Sequence, residues 1–368
     1  MYTNPKHIVI DARIRRASTG RPVDRFLHYL PELDDQNNYT VLVEPSDDIK
    51  FDTKNIQTKV CRYKRFSFNP AQQVGFALQL YRLKPDLVFF TMTGLTPLFY
   101  FGKNITFTHD LTMLRFVRAG RLPQWIHEIR MLGYRLLFWK GNKFATKIIT
   151  PTDFVKKDLT AYSSTLKNKI IRVYESSEGN HPGKAIAANV TKPYVFHQGS
   201  PFPHKNIENL VLAFQILKKD YPGLSLVLAG KKEYYFEQLE TWINQNNYSQ
   251  DVQILGFVED RMSKWLFQNA ECYVLPSLSE GFSIPGLEAM MYDLPLASSG
   301  ASCLPEVYGD AALYFDPNDP KDIAKTVAKI LDSEEIKKDL IKKGANQLKK
   351  YSWQKMTKEI LDVINSEL

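Results

Sequence analysis

The sequence has 368 residues, more than one hydrophobic core usually fills, so two domains of about 150 to 200 residues are expected. With 44% hydrophobic and 24% charged residues, 20 Pro and 18 Gly, the composition is that of an ordinary packed protein and excludes wholesale disorder, collagen and coiled coil. The net charge of +8 is unevenly placed: residues 1–175 carry 28 Lys and Arg against 15 Asp and Glu, net +13, and residues 176–368 carry 20 against 25, net −5. A basic first half points to an anionic partner, either a phosphate-rich molecule or a membrane surface.

The chain reaches Lys6 and the strand-like His7-Ile8-Val9-Ile10 without the apolar run of a secretory signal. Its longest uncharged stretch, Leu87 to Gly102, holds Gly94 and Pro97 and falls short of the roughly 20 apolar residues that a spanning helix needs. Cys61, Cys272 and Cys303 are odd in number and far apart, which suits a reducing cytosol and predicts neither a disulfide framework nor structural zinc. A cytoplasmic protein, at most peripheral on the membrane, is expected. Nucleic acid is not expected as a partner, because neither zinc-finger spacing nor an RNA-reading aromatic strand occurs.

Along the chain, short apolar runs rich in β-branched and aromatic residues alternate with amphipathic stretches, the pattern of parallel strands joined by crossover helices. The first half offers His7 to Asp11, Tyr39 to Val43, Leu87 to Thr91, Ile105 to Thr108, Lys147 to Thr150 and Ile170 to Tyr174. The second restarts with Tyr194 to Gln198, Ser225 to Ala229, Val252 to Leu255, Cys272 to Pro276 and Leu294 to Ser298. Between the halves, Ser176 to Lys192 is polar, contains Gly179, Pro182 and Gly183, and reads as a linker. The expected organisation is therefore two doubly wound α/β domains, 1–175 and 193–350, separated by the linker 176–192.

The halves open alike. Ile8-Val9-Ile10-Asp11 leads through Ser18-Thr19-Gly20-Arg21 to a helix near Val23, and Val195-Phe196-His197-Gln198 leads through Gly199 to Lys205 to a helix near Ile207. Such loops lie at the carboxyl edge of an open sheet, where helix amino termini offer free N–H groups to anions.

The densest signal is Pro276-Ser277-Leu278-Ser279-Glu280-Gly281-Phe282-Ser283-Ile284-Pro285-Gly286-Leu287-Glu288-Ala289-Met290. A buried-type strand ends at Pro276, and Pro285 suits the start of a helix, which puts Glu288 in the first turn. Two glutamates bracketing free loop amides suit a nucleotide sugar: carboxylates accept hydrogen bonds from sugar hydroxyls, and the Ser283 and Ile284 N–H groups can face phosphate. There is no Asp-x-Asp pair, no dinucleotide fingerprint and no P-loop, so a dehydrogenase and an NTPase are disfavoured and no metal is demanded.

The run from Glu280 to Glu288 resembles the paired-glutamate motif of retaining glycosyltransferases of family 4. The resemblance extends from Gly199 through His204-Lys205-Asn206, Leu255-Gly256-Phe257-Val258 and the glutamates to Leu304-Pro305-Glu306-Val307 and Asp310-Ala311-Ala312. In the amino half it rests on Thr19-Gly20-Arg21, His109-Asp110-Leu111 and Thr150-Pro151-Thr152-Asp153-Phe154.

This resemblance implies the GT-B fold, with two facing Rossmann-like domains and a last helix (351–368) crossing back to the first; Trp353, Met356, Ile360, Leu361 and Ile364 supply that helix with an apolar stripe. It implies transfer of a hexose, with mannose from GDP-mannose slightly favoured, from a nucleotide diphosphate sugar to a glycan or lipid-linked acceptor, with retention of configuration. His109, Lys205 and Glu280 are the implied catalytic residues. The implied donor contacts are Gly20, Gly199, His204, Lys205, Phe257, Val258, Glu280, Gly281, Phe282, Ser283, Ile284 and Glu288, the last on the ribose. His204 stands where the family usually has Arg, so a bidentate phosphate contact is lost. No cofactor beyond the donor substrate is implied. A nucleotide-sugar epimerase on the same architecture and a non-catalytic nucleotide-sugar scaffold remain the alternatives.

Trp125 to Lys147 alternates Ile126, Ile129, Leu132, Leu136 and Leu137 with Arg130, Arg135, Lys140, Lys143 and Lys147. A basic amphipathic helix can lie on anionic lipid. An ordinary half-buried helix with solvated charges fits the same pattern and is slightly favoured.

Overall fold

The computed structural model describes residues 4–17, 19–118, 120–178 and 183–368. The chain divides into two compact units, one made of Met1–Leu114, Pro123–Ser176 and Ser352–Leu368, the other of Arg115–Leu122 and Ser177–Tyr351.

The first unit holds strands β1 (His7–Asp11), β2 (Asn38–Val43), β3 (Ile56–Val60), β4 (Leu87–Phe90), β5 (Asn104–Phe107), β6 (Lys147–Thr150) and β7 (Ile170–Arg172). They form one sheet in the order β3-β2-β1-β4-β5-β6-β7 with parallel pairing throughout, Ile8 standing between Tyr39 on β2 and Leu87 on β4. Its helices are α1 (Arg21–Leu33), α2 (Pro70–Leu83), α3 (Thr112–Arg115), α4 (Gln124–Phe144) and α5 (Asp153–Tyr162). Central strands covered on both faces must be apolar almost continuously, and Ile8, Val9, Ile10, Leu87, Val88, Phe89 and Phe90 are all buried. The exception is Asp11, whose carboxylate is held by the buried Arg13 guanidinium at 2.7 and 2.6 Å. Burial pushes the Arg13 pKa down, but the paired Asp11 outweighs it and the net shift is upward.

The second unit holds, in chain order, β8 (Tyr194–Gln198), α6 (Ile207–Asp220), β9 (Ser225–Ala229), α7 (Tyr234–Gln245), β10 (Val252–Gly256), α8 (Asp260–Asn269), β11 (Cys272–Leu275), α9 (Ile284–Met291), β12 (Leu296–Ser299), α10 (Leu304–Tyr308), β13 (Leu313–Phe315), α11 (Pro320–Asp332) and α12 (Glu334–Leu348). Its sheet runs β10-β9-β8-β11-β12-β13, again parallel. In both sheets the strand order reverses beside the first strand, between β1 and β4 and between β8 and β11. At such a reversal the flanking loops diverge and leave a crevice at the carboxyl edge.

The last helix, α13 (Trp353–Asn365), packs on α1 of the first unit. Ser352 caps it by accepting from the Lys355 N–H, and Trp353, Met356, Ile360, Leu361 and Ile364 all turn inward.

Three sequence expectations change. Strands β3 and β13 were not anticipated: four of the five β3 residues are exposed, and β13 has only three residues. Residues 115–122 join the second unit through Arg118 and Arg121, described below. The part of the expected linker that is described is tied to α8, with the Ile186 N–H donating to the Arg261 carbonyl and Arg261 Nε donating to the Lys184 carbonyl. Gly179 and Pro182 of that linker, and Ser18 of the first loop, lie outside the described residues.

Candidate functional site

At the reversal in the second sheet, the loops after β8 and β11 are stitched together. The Leu278 N–H donates to the His204 carbonyl at 2.8 Å, and Asn206 Nδ2 donates to the Pro276 and Pro317 carbonyls at 3.1 and 2.7 Å. Asn206 takes the left-handed conformation (φ +59°) just before α6, which turns the preceding Pro203–Lys205 turn toward the β11 loop. Lys205 Nζ then meets Glu280 Oε1 at 2.6 Å, with 19% and 10% of the two side chains exposed.

Glu280 is fixed from the other side as well. Its N–H donates to Ser302 Oγ at 3.1 Å, and the Cys303 thiol donates to its carbonyl at 3.3 Å, so the loop after β12 clamps its backbone. Burial keeps that thiol protonated by raising its pKa well above the ordinary value.

Ser283 precedes α9 with φ +72°, a strained conformation for a residue other than glycine. The Tyr308 hydroxyl donates to its carbonyl, and the Tyr308 ring occupies the space a Cβ on Gly286 would need. The hydroxyls of Ser277 and Ser283 are buried and have no hydrogen-bond partner among the described residues. Because Ser283 makes this turn, α9 begins at Ile284, one residue before Pro285. Glu288 is therefore in the second turn rather than the first, and it is buried (3% exposed). Its charge and that of Glu280 both act on the Tyr273 hydroxyl, which donates to the Gln198 carbonyl.

His204 is buried, stacked on Phe202 and tilted against Phe116. Burial first, then the charges of Arg118 and Lys205, push its pKa down to about 2, so it is a neutral imidazole. Arg118 Nη2 stands 3.1 Å from its Nδ1 and 3.2 Å from its Nε2, and the guanidinium lies over the Phe202 ring at 4.7 Å. Arg121 pairs with Glu237 on α7, and the Gly120 N–H donates to the Tyr235 hydroxyl. The segment 115–122 thus brings a guanidinium to the position next to Lys205. Sequence reasoning missed it; the signal was the spacing of Arg115, Arg118 and Arg121, one in every three residues.

The remaining expected residues divide. Gly199 bonds to Ala229 at the end of β9, and Gly230 must lack a side chain because a Cβ there would lie 2.5 Å from the Gly199 carbonyl oxygen. Phe257 is 76% exposed at the carboxyl end of β10, after Gly256 at φ +74°, with Val258 partly buried beside it. Gly281 is buried in the loop. The Phe282 side chain is buried and packs edge-on against Tyr351. His197, on β8, was not anticipated. Its Nδ1 bonds to the Val274 carbonyl, burial lowers its pKa to about 4, and its Nε2 has no hydrogen-bond partner among the described residues.

In the first unit, Gly20 sits so close to the Arg15 carbonyl that a Cβ would lie 1.9 Å from its oxygen, so only glycine fits, which gives it a packing role. His109 lies stacked on Phe107 at the end of β5. Its Nδ1 meets Glu175 Oε1 at 3.0 Å and its Nε2 meets the Thr91 carbonyl at 3.0 Å, so neither ring nitrogen is open to a substrate in this arrangement. Burial alone lowers its pKa, but the hydrogen bond and charge of Glu175, with Thr91 and Asp110, prevail and raise it. Lys140 also departs from expectation: it is buried on the inner face of α4, with its ammonium donating to the Pro97 and Tyr100 carbonyls, and burial lowers its pKa to about 8. No group of three or more His, Cys, Asp or Glu among the described residues is placed to hold a metal ion.

Residues 183–347, which contain the whole Lys205–Glu280 arrangement, match the family model described as glycosyl transferases group 1. The chain is 32% identical over 280 residues, 72% of its length and 73% of the relative's, to O-antigen chain mannosyltransferase B of Escherichia coli. Among solved structures, sucrose-phosphate synthase from Thermosynechococcus elongatus superposes with a TM-score of 0.74 at 14% identity, covering 98% of both chains. HepE of Anabaena, in complex with UDP and glucose, superposes with a TM-score of 0.72 at 13% identity, covering 98% of this chain and all of that one. At such identities the likeness to these two structures is one of fold.

Proposed function

This chain belongs to the glycosyl transferases of group 1, and from that premise we propose that it moves a hexose from a nucleotide diphosphate sugar to a glycan or lipid-linked acceptor of O-antigen type, with retention of configuration. Mannose is the favoured sugar, supported by the E. coli relative named as a mannosyltransferase. The UDP and glucose bound by HepE, which shares the fold, support a nucleotide-sugar donor.

The observation that carries this reading is the Lys205–Glu280 pair at the β8/β11 reversal, flanked by the amino terminus of α9 and the Arg118 guanidinium. In the proposed reaction the bond from the anomeric carbon to the phosphate oxygen breaks as the acceptor oxygen bonds to the same face of that carbon. The acceptor proton passes to the departing phosphate. Charge develops on the diphosphate, and Lys205, Arg118, the Ser283 and Ile284 amides and the α9 dipole would stabilise it. Glu280, held by Lys205 and its backbone clamp, would orient the sugar hydroxyls, Glu288 the ribose, and the exposed Phe257 ring would offer the nucleobase a stacking face. In this reading these groups would supply the charge stabilisation that a metal ion gives elsewhere.

The test is turnover of GDP-mannose with a lipid-linked glycan acceptor in excess EDTA, with the anomeric configuration of the product assigned by NMR. Retained product formation is expected. Activity lost to EDTA and restored by manganese overturns metal independence, an inverted product overturns the mechanism, and donor isomerisation without acceptor favours an epimerase.

A further inference from the structure

The outer face of α4 is unlike that of a solvated helix. Trp125, Ile129, Leu132, Leu136 and Trp139 follow the helical repeat along one stripe, and each is between 42% and 68% exposed. The opposite face, with His127, Tyr134, Phe138 and Gly141, is the one the unit buries. Gly141 sits so close to the Thr93 carbonyl that a Cβ would lie 2.8 Å from it. Packing within the fold therefore accounts for the inner face and leaves the apolar outer stripe unexplained.

The apolar surface continues beyond the helix. Exposed Phe144 meets exposed Phe101 with ring centroids 5.4 Å apart, and the Phe101 N–H donates to the Tyr81 hydroxyl on α2 at 2.9 Å. On α2, Val74 and Leu78 are exposed on the same helical stripe as Tyr81. On soluble monomers, large exposed apolar patches mark interaction surfaces.

The exposed charges along α4 are mostly of one sign, with Glu128 its single acidic residue. Arg130, Arg135 and Lys143 are exposed on α4, and the Lys143 ammonium lies 4.8 Å from the centroid of the Trp139 ring. No helix among the described residues is long and apolar enough to cross a membrane, so α4 can lie along a bilayer but not span it.

We infer that the α4 outer face docks on an anionic lipid bilayer, with Trp125, Leu132, Leu136 and Trp139 entering the headgroup boundary and Arg130, Arg135 and Lys143 meeting lipid phosphates. Charge complementarity selects this occupant. A second copy would set the exposed cations of one α4 against those of another, whereas anionic headgroups neutralise Arg130, Arg135 and Lys143 while the acyl boundary takes the apolar stripe. The inference rests on the first unit alone and holds whatever the donor is. In the proposed reaction it would keep the enzyme at the surface that carries a lipid-linked acceptor.

The full chain, its Leu132→Gln/Leu136→Gln variant and its Arg130→Gln/Arg135→Gln/Lys143→Gln variant should be sedimented with phosphatidylglycerol–phosphatidylcholine vesicles and with phosphatidylcholine vesicles, at low and high salt. The wild type is expected to bind the anionic vesicles at low salt and to be released by high salt. The charge variant should bind about a hundredfold more weakly and the apolar variant about tenfold or more, both with wild-type melting temperature and GDP affinity. A wild type that ignores anionic vesicles at low salt overturns the inference, as do variants that bind like the wild type. A wild-type dimer without vesicles that the apolar variant abolishes assigns the face to a second copy instead. GDP affinity, measured separately, keeps failure of docking distinct from failure of the donor reading.

Discussion

Lys205 and Glu280 lie 2.6 Å apart although 75 residues separate them in the chain. The contact exists because β8 and β11 are neighbours at the point where the strand order reverses, which brings the loops after them onto the same edge. Each side chain is mostly withdrawn from water, so each is the counter-ion the other needs.

Removing both members should therefore cost less than the two single losses added together. Lys205→Met and Glu280→Gln are each expected to destabilise the second unit, and the double variant by less than the sum, with a coupling on the order of 1 kcal/mol. Turnover is expected to fall about 100-fold or more in the Lys205 variant, since one donor to a developing anion is lost. Urea unfolding and initial rates measure both quantities, and strictly additive stability losses would show that the pair is not coupled.

Arg118 supplies a guanidinium beside a histidine that burial keeps neutral. Arg118→Ala is expected to weaken GDP binding by about 1.5 to 3 kcal/mol, the usual value of a hydrogen bond to a charged group, and to leave guanosine binding unchanged. Arg118→Lys should recover only part of the loss, because an ammonium lacks the planar fork that lies over Phe202. Calorimetry with the two ligands decides: equal losses for nucleoside and nucleoside diphosphate would place Arg118 outside the phosphate site.

The two units should respond to acid in opposite directions. In the second, His204 and His197 have pKa values lowered to about 2 and about 4, so as pH falls below the unfolded value of about 6.5 only the unfolded chain takes up protons and stability drops. The loss approaches about 1.4 kcal/mol per pH unit for each histidine until its folded pKa is reached. In the first unit the His109 pKa is raised beside Glu175, so its contribution is complete below the unfolded value and disappears as pH rises through the folded one. Calorimetric melting at mildly acidic and mildly alkaline pH should therefore shift two transitions in opposite senses. His109→Gln should flatten the first, and parallel shifts in the unsubstituted protein would contradict this assignment of charges.

The central strands, the loops after β8 and β11 and the inward stripe of α13 were legible in the sequence, because each is a local pattern. A parallel strand covered on both faces must be apolar along its length, a loop before a helix must carry small residues, and a helix that docks must repeat its apolar positions every three or four residues. β3 escapes that logic because it is an edge strand with four of its five residues exposed, and β13 because its apolar run, Leu313-Tyr314-Phe315, is only three residues long.

What only the tertiary structure decided is where charged side chains go. Lys140 sits among basic residues of one helix, yet it turns inward to two carbonyls while Arg130 and Arg135 stay in water. His109 finds its partner in Glu175, 66 residues away, and Arg118 reaches a histidine 86 residues on. A hydrophobic side chain gains from burial against almost any apolar neighbour, so its period along the chain is enough to place it. A charge gains only from a particular partner at close range in a dry setting, and which partners meet is set by strand order and loop path.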